Sequence, residues 1–421
     1  MDIEDMKAIL SALPPRFLCS NLYGTEEINA ASRVILNKSP FRYHGPHCLH
    51  ETDKFENEIC TFSNINYALA LNSGTGGLMC ALHALDVGPG DEVIIPGFLW
   101  VAVINAIVLR GAIPVLCEID YTLNMDPHCL RNIISPRTKA VICVHMIGAP
   151  ARIEEIKRIC ADRSISLIED YSQAHGASVN GRKVGTFGEI GIASLQADKM
   201  ISSGEGGILI TNEKTLYLRA QARHDVGYAR VEGIASGTDE YLTFGEGRRL
   251  NEISSAIMRE QLKKLPAVIR NLCELKARIK RGLKKYSLFK FREIIDEQGD
   301  TGSTLVLIFK EKQLLKRFLE AKSELFPYDE LFAWPLEKTG HHVYYNCTNL
   351  VNKLPALPDG FPWNHPLNRG IKLEYAKGTL PRTDDIIERS VGTMLPGGIT
   401  AVQAEAILEG FQIVLDRMIH N

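Results

Sequence analysis

Between residues 65 and 211 the chain alternates short, almost wholly apolar runs with stretches of helical periodicity. The runs fall at 67–72, 92–96, 113–119, 140–145, 166–170, 192–196 and 207–211, and several are continuous Val/Ile/Leu sequences with no in-out alternation. Strands carry that composition when both faces are covered, which is the position of parallel strands in a sheet flanked by helices. Helical windows at 76–85 and 153–160 lie between them. The fold class is therefore α/β over this region.

Beyond it, 213–226 reads as a helix and 227–247 as a Gly-rich polar segment, followed by a long helix over 251–285. The remainder mixes a strand at 304–309, helices at 312–321 and 401–418, and a Pro/Trp-rich loop at 354–366. A chain of 421 residues exceeds what one core normally holds, and a long helix commonly joins two lobes. The expected division is a large domain with an N-terminal arm over 1–264 and a smaller α+β domain over 265–421.

Several classes of function drop out on composition. With Lys+Arg 48 against Asp+Glu 50, the net charge of −2 offers no footprint for nucleic acid. The uncharged stretch 93–109 holds Pro96, Gly97 and Asn105 and divides into strand, turn and helix more naturally than it spans a membrane. The start of the chain is acidic (Asp2, Glu4, Asp5), unlike a secretory leader. Its 10 cysteines sit mostly within apolar runs and form no CxxC pair, the usage of a reducing compartment, so the expected location is cytoplasmic.

In open α/β sheets ligands bind beyond the carboxyl ends of the strands. Three strand ends stand out. The first, Asn72-Ser73-Gly74-Thr75-Gly76-Gly77, follows a strand and opens a helix. Free N–H groups, the dipole and the Ser73 and Thr75 hydroxyls suit a phosphate, although the same residues also make an ordinary tight turn. Neither a GxGxxG pattern nor a Walker lysine is present, so the phosphate belongs to something smaller than NAD or ATP.

The second strand end is Asp170, in Glu169-Asp170-Tyr171-Ser172-Gln173. A carboxylate there can serve as a base, pair with a protonated ring nitrogen or cap a turn; Glu169 points to the opposite face, so a metal is not expected. The third is Lys199, which leaves a strand for a Gly-rich turn (Gly204, Gly206, Gly207) and, if desolvated, can form a Schiff base. Phosphate cradle, ring-nitrogen partner and imine-forming lysine are together the requirements of pyridoxal 5′-phosphate, and Trp100 is placed to cover the ring.

The runs ALALNSGTGGL (68–78), DEVIIPGFLWVAVINAI (91–107), EDYSQAHGA (169–177), GEIGIASLQADKMISSGEGGILIT (188–211) and GEGRRLNEISSAI (245–257) resemble the DegT/DnrJ/EryC1/StrS family of sugar aminotransferases. The resemblance implies a fold-type I transferase dependent on pyridoxal phosphate. Its large domain would hold a mostly parallel seven-stranded sheet flanked by helices, with a smaller α+β C-terminal domain beside it. It implies Lys199 as the Schiff-base lysine, Asp170 as partner of the pyridine nitrogen, Gln173 beside the cofactor's 3′-oxygen and Trp100 as the stacking residue. Gly74, Thr75 and Ser194 match phosphate positions.

Family members commonly place an Asn two residues before Arg249, reaching across a homodimer to the neighbour's phosphate; here that position is Gly247. Arg249 or the adjacent Arg248 then falls to the phosphate or the donor's carboxylate. The implied reaction moves an amino group from glutamate or glutamine to a keto group on a sugar, sugar acid or cyclitol, with active sites at the subunit interface. A lyase or dehydratase on the same scaffold is the alternative, but family dehydratases replace the lysine by histidine, and Lys199 favours transamination. A non-catalytic binding role is disfavoured by the intact set. The cluster His44, His47, Cys48 and His50 lacks a zinc spacing, and His341, His342 and the 361–366 loop fall in the small lobe, where the resemblance implies shaping of the substrate pocket and packing is the preferred reading for the aromatics.

Overall fold

The structure, a computed structural model, describes residues 2–15, 18–231, 234–235, 241–329 and 331–420. Part of the Gly-rich segment read at 227–247 lies outside the described residues. The large sheet contains β1 (Tyr67–Leu71), β2 (Glu92–Pro96), β3 (Ile113–Cys117), β4 (Thr138–Val144), β5 (Ser166–Asp170), β6 (Ile190–Ser194) and β7 (Gly207–Thr211). Its order is β1-β7-β6-β5-β4-β2-β3, seven strands in all, and only β7 runs against its neighbours. Consequently the carboxyl ends of six strands share one edge.

The continuous apolar runs are explained by the two cores they serve. Ile94, Val141, Leu167 and Ala193 point into one core, while Val93, Ile95, Ile142, Ile168 and Ile192 point into the other. Each fully buried aliphatic side chain contributes roughly 1.5–3 kcal/mol. Among the covering helices are α1 (Ile3–Ser11), α2 (Thr25–Leu36), α3 (Glu51–Ser63), α4 (Gly74–Ala84), α5 (Ala102–Leu109), α6 (Pro127–Ile133), α7 (Ile153–Asp162) and α8 (Lys214–His224). The uncharged stretch 93–109 is thus a strand, a turn and α5. None of the described helices is long and apolar enough to cross a membrane.

Helix α9 (Glu252–Leu283) is capped by Asn251, whose side chain accepts the Ser254 N–H, and runs without a break through residue 264. Its first half is tied to α2 and α3 by Gln261–Glu27 and Arg259–Glu51 contacts. Its second half buries Leu272, Leu275 and Ile279. The second sheet follows, with β8 (Phe289–Phe291), β9 (Thr304–Phe309), β10 (Trp334–Pro335) and β11 (Ser390–Met394) paired antiparallel in the order β8-β9-β11-β10. Helices α10 (Lys312–Leu325), α11 (Pro381–Glu388) and α12 (Ala401–His420) complete this part. The N-terminal arm returns to it, with the Gln403 side chain donating to Ala12 O at 3.0 Å.

Candidate active site

The first strand end that positions the site is that of β1. Ser73 caps α4, its Oγ accepting the Gly76 N–H at 3.0 Å. Helix geometry leaves the N–H groups of Gly74 and Thr75, the next two residues, directed off the end of the helix, where the dipole favours an anion. Gly74 is required by packing: a Cβ there would lie 2.8 Å from Ser194 Cβ and 3.0 Å from its Cα. The close approach brings the α4 N-terminus against the end of β6. A Gly74→Ala variant must push the two apart, and its affinity for pyridoxal phosphate is expected to fall about tenfold or more, measured by titrating the cofactor-free protein with cofactor. An unchanged affinity would exclude this cradle.

At the end of β5, Asp170 is only 4% exposed and accepts the Ser172 N–H at 3.0 Å. Burial raises its pKa, and Ser172, Lys199 and His145 oppose that rise. The neighbouring Glu169 faces the other side of the sheet, as its position in the strand requires. It accepts N–H groups from Gly185, Phe187 and Gly188 and meets His145 Nε2 at 3.1 Å. Since His145 Nδ1 accepts the Ala151 N–H, its proton sits on Nε2 and is directed at Glu169. Two adjacent acids therefore separate into one satisfied by the fold and one facing the site.

Lys199 lies in the loop after β6. Its side chain is half-buried and has no hydrogen bond or ion pair among the described residues. Desolvation lowers its pKa against the opposing charges of Asp170 and Asp198. The loop is braced by Leu195 N–H to Gly206 O at 2.9 Å and Ser202 Oγ to Leu195 O at 3.0 Å. The N-terminal arm adds Tyr23 Oη to Ser202 O at 2.8 Å and Ser20 Oγ to Ala197 O at 3.2 Å. Nothing in the sequence of the arm announces this contact, because it depends on where the chain returns in space.

Ser194 joins the same edge: its N–H donates to Ser172 Oγ at 2.8 Å and its carbonyl meets His175 Nε2 at 3.0 Å. Gln173 Oε1 accepts the Ile147 N–H at 2.9 Å. Trp100 is 44% exposed after β2, and its ring lies 4.7 Å from that of His342. The sequence leaves His342 between packing and the shaping of a pocket. The structure brings it to the site: Leu99 N–H donates to its carbonyl at 2.9 Å, and burial lowers its pKa with the Lys199 charge acting in the same direction.

The two arginines divide. Arg249 pairs with Asp225 and lies 5.5 Å from the Phe41 ring centroid, whereas the Arg248 side chain approaches the first turn of α4 beside Gly76 and pairs with Glu246. Gly247 is exposed, and a Cβ there would meet Arg249 Nη2 at 3.3 Å. His50 pairs with Asp53, and no group of three His, Cys, Asp or Glu side chains among the described residues is arranged to hold a metal.

One edge of the sheet thus carries N–H donors, a buried carboxylate without a cationic hydrogen-bond partner among the described residues and a partly desolvated amine. That donor set fits pyridoxal phosphate at its phosphate, its ring nitrogen and its aldehyde respectively. The family model of the DegT/DnrJ/EryC1/StrS aminotransferases matches residues 23–325. The chain belongs to this family. Among its DegT-family relatives, an L-glutamine:2-deoxy-scyllo-inosose aminotransferase of Streptomyces kanamyceticus is 39% identical over 56% of this chain and 57% of its own length. Another from Streptoalloteichus tenebrarius is 39% identical over 50% of this chain and 51% of its own. The chain thus spans only about half the length of these relatives in alignment.

Similarity of fold extends further. An aminotransferase from Psychrobacter cryohalolentis superposes with a TM-score of 0.76 at 25% identity, covering 95% of this chain and 98% of that one. A 3-amino-5-hydroxybenzoic acid synthase gives 0.77 at 24% identity, covering 95% and 97%. The family member described here therefore has the expected seven-stranded fold-type I scaffold.

Proposed function

We propose that the protein is a pyridoxal phosphate-dependent aminotransferase that moves the amino group of glutamine, or glutamate, to the keto group of a cyclitol. The observation that carries the reading is the meeting of Lys199, Asp170 and the α4 N-terminus at one sheet edge. The similarity to the inosose aminotransferases supports the cyclitol acceptor and the glutamine donor over the wider set of sugars and sugar acids.

Bound at this edge, the cofactor would supply a protonated ring able to take up the electron pair left when the donor's α-proton departs. The Gly74 and Thr75 N–H groups, with the Ser73, Thr75 and Ser194 hydroxyls, would bind the phosphate. Asp170 holds a proton on the ring nitrogen, since an adjacent anion favours the charged form. Trp100, backed by His342, would cover one face of the ring. Lys199 Nζ, its pKa lowered by burial, would take the proton from the donor's α-carbon and hold it for return. With the acceptor bound, the same residues act in reverse order.

Two further parts of the reading rest on surface and composition. Val226, Tyr228, Leu242 and Phe244, the last 92% exposed, flank the segment bearing Arg248 and Arg249. Apolar side chains collected beside a site suit a second copy of the chain, which supports a homodimer with shared active sites. All 10 cysteines are free, which suits the cytoplasm.

The experiment is a half-reaction. Protein loaded with pyridoxal phosphate should lose its visible band when glutamine is added, releasing the matching keto acid. Addition of a keto cyclitol should restore the band and yield the amino cyclitol by mass spectrometry. A band that amino donors leave unchanged would point to lyase or dehydratase chemistry instead.

A further inference from the structure

Ile147 occupies the left-handed region at φ 42° and ψ 52°, three residues past the end of β4 at the site edge. A β-branched residue is a genuine outlier there, and the turn signal of the stretch falls on Gly148 rather than on Ile147. Such strain persists only where the surroundings impose it. Four contacts do so. Met146 N–H donates to Asn124 Oδ1 at 2.8 Å, Asn124 Nδ2 donates to Ala149 O at 3.3 Å, and Thr301 N–H donates to Gly148 O at 3.1 Å. The fourth comes from Arg292, the residue after β8, whose Nη1 donates to Ile147 O at 3.1 Å while its Nε donates to Thr122 O at 2.7 Å.

Arg292 is unusual in its own right. It is 4% exposed, forms no ion pair among the described residues, and its Nη2 has no partner among them. A buried guanidinium held by two carbonyls is a costly way to fill space. Both carbonyls belong to loops at the carboxyl edge of the large sheet, and one of them is in the strained residue that touches Gln173.

We propose that Arg292 is a positioning residue for Gln173: by holding the Ile147 carbonyl it fixes the strained loop so that the Ile147 N–H engages Gln173 Oε1, leaving the amide NH2 to donate to the 3′-oxygen of pyridoxal phosphate. A backbone N–H can be met only by the oxygen end of the amide, so this contact decides which way the side chain is turned. The inference rests on the cofactor reading above and adds to it a residue from the second sheet that never reaches the ring.

The test reads the pH midpoint of the visible band of the loaded enzyme. A donor to the 3′-oxygen stabilises its negative charge, which is greatest when the lysine–cofactor linkage is deprotonated, so losing the donor raises the midpoint. Gln173→Ala and Arg292→Met should each raise it, by about one pH unit for the former. Because the two act through one contact, the double variant should shift no further than Gln173→Ala alone. Adding Ile147→Gly to Arg292→Met should return the midpoint toward the wild-type value, since glycine adopts the left-handed conformation without a clamp. Asp170, Lys199, His145 and His342 are common to every variant. If Arg292→Met yields no folded protein, Arg292→Lys, which cannot span both carbonyls, carries the same comparison. An unchanged midpoint in the Arg292 variant, or additive shifts in the double variant, overturns the clamp while leaving the cofactor reading intact. A wild type with no visible band overturns both.

Discussion

Lys199→Ala is expected to lower turnover by about 10⁴-fold, the joint loss of a covalent anchor and a general base. It should also abolish the visible band of protein equilibrated with pyridoxal phosphate, while leaving the fold intact. The last point follows from the side chain's situation: it is half-buried and has no hydrogen bond or ion pair among the described residues, so truncation strands no partner. If anything, removing a partly desolvated amine relieves the burial that lowers its pKa. Lys199→Arg should not rescue activity, because a guanidinium stays protonated and cannot accept the α-proton. Single-turnover kinetics with glutamine, beside a thermal melt, check the prediction. Retained turnover with a normal melt would remove Lys199 from the mechanism.

The residues most legible in the sequence are those whose chemistry follows from their place on a strand. Asp170 ends a buried strand, so its side chain has to leave the sheet at the ligand edge, and the parity of the strand sends Glu169 the other way. Ser73-Gly74-Thr75 and Lys199 stand out for a different reason, the glycine-rich turns that follow β1 and β6. The apolar pattern places β6 two residues late, at 192–196, because Gly191 breaks the run on one side and Leu195 extends it on the other; the ladder ends at Ser194. His342 is out of reach of such reasoning. It meets Trp100 because the segment around it pairs with residues 97–98 through Tyr344 N–H to Gly97 O and a Phe98–Val343 bridge, a contact with no local signal. Arg292 and Ile147 are equally hidden, since strain imposed by tertiary contacts leaves the sequence looking ordinary.

Asp170→Asn separates function from stability, and the two readouts should move in opposite directions. Asparagine keeps the shape and can still accept the Ser172 N–H, but it carries no charge to hold the proton on the ring nitrogen. Breaking a buried charge pair by neutralising one partner costs about 3–5 kcal/mol, which corresponds to a fall in kcat/KM of about 10²–10⁴. Cofactor should still bind through the α4 N-terminus and Lys199, so the band survives while the rate collapses. In the cofactor-free protein the sign reverses. Burial raises the Asp170 pKa above its ordinary value of 3.8, so the folded state binds the proton more tightly than the unfolded chain. Its ionised form therefore weakens the fold, by an amount that is absent at pH below about 4 and grows as pH rises through the raised value. An uncharged amide at this position escapes that penalty. Melts of cofactor-free protein should show the variant level with the wild type in acid and more stable than it near pH 8. A variant less stable at pH 8 would mean that the Asp170 charge is already satisfied by the protein's own donors, and that the ring nitrogen is not the partner its burial awaits.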